Sequence, residues 1–161
     1  MAENNVNPFI VVDDGSRRVP IQNTRGEEIG VFTFRPTDIG IIQRFNDMVS
    51  GFDKIIEPLE VINELGDDES ITDAKYVDAI HAAETLLYEA VDKLFGSDGA
   101  AQAFFGCMNP FSPVDGEFYC TNVLNAVGAY IDAAFDSETE KFSEKAKKYM
   151  SKGKSRRGQH G

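Results

Sequence analysis

The stretch Ile29-Gly-Val-Phe-Thr-Phe-Arg-Pro-Thr-Asp38 decides the fold, because it is where the apolar period of the chain changes from that of a strand to that of a helix. Val31 and Thr33 alternate with Phe32 and Phe34 as a half-buried strand requires. Pro36 biases Arg35 toward extended geometry, and Thr37 is placed to cap a helix whose first turn holds Asp38, a favourable charge at the positive end of the helix dipole. Beyond it, Ile41, Phe45, Met48, Phe52, Ile55, Leu59 and Ile62 recur at spacings 4-3-4-3-4-3, with Ile42, Val49 and Ile56 as a second row. That alternation is the seam of a helical bundle. Gly51 weakens such a helix by about 1 kcal/mol. Pro58 lacks an N–H and clashes with the carbonyl one turn back. The segment 37–65 is therefore expected as a long helix bent near 54–58, or as two helices, ending at Gly66.

Upstream, Phe9-Ile-Val-Val12, Val19-Pro-Ile21 and Ile29–Phe34 are separated by turn signals at Asp13–Ser16 and Asn23–Gly26. These predict an antiparallel β-ribbon over 9–35 behind a flexible N-terminus, 1–8. Pro20 removes a ladder donor and puts the middle segment at an edge or bulge.

Downstream, Ser70 or Thr72 with Asp73 opens a helix through Val77, Ile80, Ala83, Leu87, Val91 and Leu94, closed by Gly96. Phe95-Gly-Ser-Asp-Gly99 superficially suggests a phosphate loop. It lacks the lysine of that motif and follows a helix, so one helix cap followed by another explains it better. Asn109–Pro113 and Asp115-Gly116 form a turn-rich connector. A last core helix is expected over about 117–135, with Cys120, Val123, Leu124, Val127 and Ile131 on its apolar face. Ser137 and Glu140 form a capping box for a further helix over 137–150. Residues 151–161 contain no aliphatic or aromatic side chain and are expected to be disordered. The fold class is thus α+β and predominantly α: an N-terminal β-ribbon followed by a bundle of four to five helices, with 9–135 as one domain.

Charge changes sign where the apolar pattern runs out. Residues 1–140 hold 8 Lys+Arg against 26 Asp+Glu, a net −18, whereas 141–161 hold 8 basic residues and only Glu144, a net +7. An acidic body repels polyanions, so nucleic acid is not the favoured partner, although Lys152, Lys154, Arg156 and Arg157 suit a phosphate backbone or an acidic protein surface. No run approaches the ~18 apolar residues of a membrane span, and residues 1–7 lack a signal-like pattern, so a soluble cytoplasmic protein is expected.

The residues offer little chemistry. Nucleophilic catalysis needs a Ser or Cys with a base and an orienting group, yet there is no Gly-x-Ser-x-Gly, and His81 and His160 are the only imidazoles. Cys107 and Cys120, without close pairing, read as buried free thiols rather than zinc ligands. No catalytic, cofactor or metal site is expected, and no enzyme.

The order of elements resembles a known family. A short ribbon ending in Val31-Phe-Thr-Phe-Arg-Pro-Thr-Asp38, a capped helix with Phe45 and Met48, a helix ending in Leu94-Phe-Gly96, then Phe104-Phe-Gly106 and a final helix is similar to the small tail assembly chaperones of long-tailed phages of Gram-positive bacteria. The similarity spans about residues 9–135. It implies a non-enzymatic protein of the bacterial host cytoplasm that coats the tape measure protein, keeps it soluble and helps recruit tail tube subunits. Phe32, Phe34, Phe45 and Phe52, together with Lys152, Lys154, Arg156 and Arg157, are the candidate partner-binding residues. Homo-oligomerisation stays open. Two other readings stand beside it: an acidic phage-encoded inhibitor of a host nucleic-acid-binding defence protein, and a head-to-tail adaptor of the virion.

Overall fold

The computed structural model describes residues 8–160, with side chains as far as Lys148. Strands β1 (Arg17–Gln22) and β2 (Glu28–Phe34) form an antiparallel hairpin that pairs Arg17 with Phe34 and Ile21 with Gly30. The register slips between Ile21 and Gln22. Asn23 organises the turn: its side-chain oxygen accepts from the amides of Arg25 and Glu27 at 2.9 and 3.0 Å, and Gly26 takes the left-handed conformation the turn requires. The expected third strand does not form. Phe9–Val12 has strand composition but lies outside both strands of the hairpin, and its side chains are 75–97% exposed. The predicted turn after it is present, with Asp13 and Asp14 accepting from the amides of Gly15 and Ser16.

The strand-to-helix change falls where the sequence puts it, with different capping. Helix α1 (Gly40–Ser50) begins after Ile39, and the Asp38 carboxylate, not Thr37, accepts from the amide of Gly40 at 3.0 Å. The long seam breaks at Gly51, which the sequence marks only as a weak point, and again at 56–57, within the expected 54–58. Helix α2 (Phe52–Ile56) then gives way at Pro58 to a 3-10 helix over Glu57–Glu64. Proline at the start of the tighter helix has no donor to lose, which is why the chain changes pitch there instead of bending.

Helix α3 (Ala74–Phe95) is the spine of the molecule. Tyr76, Ala83, Leu87, Val91, Leu94 and Phe95 are buried along one stripe, and Ser70 donates its amide to Asp73 ahead of the first turn. Gly96, left-handed at φ 63°, ends it and lets the amide of Ser97 reach the carbonyl of Asp92. Helix α4 (Ala100–Phe105) follows at once, so Phe95–Gly99 is two helix caps. Strand β2 lies against α4 so closely that a Cβ on Gly30 would sit 2.1 Å from the carbonyl oxygen of Ala103. The resulting core joins Phe34, Ile41, Met48, Leu87, Leu94, Phe95, Phe104, Cys120 and Val127.

Strands β3 (Pro113–Val114) and β4 (Glu117–Phe118) form a second, minimal hairpin around Asp115 and Gly116, both at positive φ. Helix α5 then runs without interruption over Tyr119–His160. The sequence divides this segment into a helix to 135, another over 137–150 and a disordered tail. The structure joins them, and Ser137 and Glu140 lie inside one helix. Adding a residue to an existing helix costs far less than nucleating a new one, and no proline intervenes to stop it. The side chains of the expected tail lie outside the described residues. Of the thiols, Cys120 is fully buried and Cys107 is exposed, so only one follows expectation.

Candidate partner-binding surface

The four aromatics singled out from sequence serve the interior. Phe34 is buried and stacks on Phe32 at 4.9 Å between ring centres, and both meet Phe95 edge-on at about the same distance. Phe45 and Phe52 are half-buried against the core. Phe45 fits under α5 because position 128 is glycine, where a Cβ would come within 3.3 Å of its ring. Lys152, Lys154, Arg156 and Arg157 have no described side chains.

What sequence reasoning missed is a groove of about 780 Å³ between α2, the 3-10 helix, α3 and the connector into β3 and β4. Its size is that of a ligand- or peptide-binding cleft. Ile56, Leu59 and Ile62 form one wall, Ile80 lies on α3, and Phe111, Pro113 and Phe118 close the far side. The local chemistry explains the wall. In a 3-10 helix residues three apart stand directly above one another, so the change of pitch at Pro58 aligns Ile56, Leu59 and Ile62 into a single row. Read as an α-helix, the same residues divide between two rows. The combination of Pro58 with apolar residues at intervals of three was the available signal.

The far wall is held by backbone hydrogen bonding. Asn109 accepts from the amide of Phe111 at 2.9 Å and donates to the Glu84 carboxylate at 3.2 Å, tying the connector to α3. The carbonyls of Ser112 and Pro110 each accept, at 2.8 Å, from the amides of Tyr119 and Cys120, which would otherwise be unsatisfied donors at the start of α5. Phe111 and Phe118 meet edge-on at 5.4 Å. This wall is consequently pre-formed.

Asp53 and Glu60 line the same groove, and no lysine or arginine is among its lining residues. An apolar surface with positive charge beside it would be complementary to this lining. Apolar surface is also displayed elsewhere: Ile39 just before α1, and Ile42 and Val49 on it, are 78, 51 and 52% exposed. Scattered exposed aliphatics are ordinary.

Ahead of α3, Glu69 ties the preceding loop to the helix's first turn, accepting from Lys75 at 2.8 Å and Tyr76 at 2.7 Å, and the Lys75 bond holds its carboxyl below the usual range. Among the described residues, no helix is long and apolar enough to cross a membrane. Comparison of the chain with models of known protein families, with curated protein sequences and with solved structures finds no match.

Proposed function

We propose that this chain is a non-enzymatic phage tail assembly chaperone, which holds amphipathic helices of a tape measure protein and helps recruit tail tube subunits in the cytoplasm of the host. The observation that carries this reading is the apolar groove walled by Ile56, Leu59, Ile62, Phe111 and Phe118 and rimmed by Asp53 and Glu60. An amphipathic helix laid in such a groove buries its apolar stripe while its lysines or arginines meet the rim. The order of elements on which the family resemblance rests supports the same reading, and the net charge of −11 favours solubility of a loaded complex.

The test is co-expression with the tape measure and tail tube proteins of the same genome. The chain is expected to purify with the tape measure protein and to be missing from finished virions. Ile62→Asp is expected to abolish that co-purification while the variant remains folded by circular dichroism. Retention in mature particles, or failure to bind the tape measure protein, rejects the proposal.

A further inference from the structure

Helix α5 outruns the body that anchors it. Among the described side chains its last buried residue is Ile131, and every residue from 139 to 148 is exposed, including Phe142 at 73%. A solvent-exposed helix that is almost wholly polar is marginal by itself, and an exposed phenylalanine on it adds a cost that a partner surface would remove. Phe142 and Ala146 lie one turn apart on one face, and Tyr149 continues that spacing in the sequence. At 100° per residue, Lys141, Lys145 and Lys148 fall along one flank of this stripe, with Glu144 on the opposite face. The extension is thus a short amphipathic helix with positive charge beside its apolar row.

The groove presents the complementary chemistry. It offers Ile56, Leu59, Ile62, Phe111 and Phe118 with Asp53 and Glu60 among them, and no cation. Its own extension does not fill it: Phe142 stands eleven residues beyond Ile131, about 16 Å farther along a continuous helix. We infer that the extension of α5 docks in the groove of a second copy of this chain, Phe142 entering the apolar floor and Lys145 meeting Glu60. Each copy carries one groove and one extension, so two copies close by exchanging extensions reciprocally, and otherwise the contact grows head to tail. The self-contact masks the groove until a stronger helix displaces it. This inference uses the groove but not the identity of the partner proposed for it, so it stands or falls without any phage component.

The experiment is sedimentation equilibrium on the full chain. The wild type is expected to self-associate, and to do so more weakly as salt is raised, because the charges that meet are at the rim. Phe142→Glu is expected to raise the dissociation constant by more than about tenfold, as loss of a central anchor does. Because Phe142 is exposed, its thermal melting should match that of the wild type. Glu60→Lys and Lys145→Glu should each weaken association, and the double variant should recover it. A chain that is monomeric at every accessible concentration overturns the inference. So does association insensitive to Phe142→Glu, or association lost instead on Ile10→Asp with Val12→Asp, which would place the contact at the exposed N-terminal segment.

Discussion

Two apolar assemblies lie toward different ends of α3, one closed around Phe95 at its C-terminal end and one open beside Ile80 near its N-terminal end. At the closed one, Phe32, Phe34, Phe95 and Phe104 surround one another at 4.9 to 5.6 Å between ring centres, and β2 is pressed onto α4 at Gly30. At the open one, aliphatic and aromatic residues line a groove that none of the described residues fills. The apolar supply is comparable; the difference lies in the backbone. A strand and a six-residue helix separated only by a glycine leave no space between them, whereas a 3-10 helix and a turn-built connector stand apart as two fixed walls. Composition alone does not distinguish core from binding surface.

The largest effect is expected on the closed side. Phe104→Ala removes a ring packed against three others and should cost about 4 kcal/mol in denaturant unfolding, in the range of buried phenylalanine truncations. A loss below about 1 kcal/mol would mean that the cluster is not tightly packed. Gly30→Ala adds a methyl where the nearest atom is backbone oxygen, so the hairpin must lift from α4; about 2 kcal/mol is expected, as for overpacking elsewhere. On the open side Ile62→Asn should change stability by less than about 1 kcal/mol, since Ile62 is only half-buried, while weakening whatever the groove binds. A large loss of stability there would show that the open wall is core after all.

The smallest effects are in pH, and the two limbs report different regions. Asp14, through its bonds to Ser16 and then to Arg35, and Asp38, through the amide of Gly40 and then Arg44, have depressed carboxyl pKa values, as does Glu69 through Lys75. Depressed carboxylates add stability above their unfolded values of 3.8 to 4.5, and that contribution is lost as pH falls through the folded ones. Burial, by contrast, pushes the Cys120 thiol up to about 11 and Tyr119 up to about 12. Their neutral forms are favoured in the fold, so this contribution is present below the unfolded values of 9.0 and 10.0 and is lost as pH rises. Thermal melts across pH should therefore plateau near neutrality, with the alkaline fall abolished at the thiol by Cys120→Ala and the acid fall unaffected by it.

Much of the fold was legible locally. The turn at Asn23–Gly26, the passage from strand to helix at Pro36 and the cap at Gly96 follow from residues whose backbone preferences are strong over a few positions. The groove was not legible in the same way, because its walls come from segments far apart in sequence and because an α-helical reading places Leu59 and Ile62 in the seam and Ile56 in the row beside it, where a 3-10 helix aligns them. Phe32 and Phe34 show the reverse failure. Their alternation was read correctly, but whether an aromatic residue on a strand face meets a partner or its own helix depends on what packs over it.

The sequence by itself determined where the elements of this protein begin and change, since glycine, proline and capping residues act on the backbone within a turn. It also determined that an acidic body ends in a basic segment. Only the tertiary structure decided which apolar residues are enclosed, which line the groove, and that the basic segment begins on a helix held away from the body. Those outcomes depend on distances between distant parts of the chain, such as the approach of Gly30 to Ala103, and no local preference encodes them.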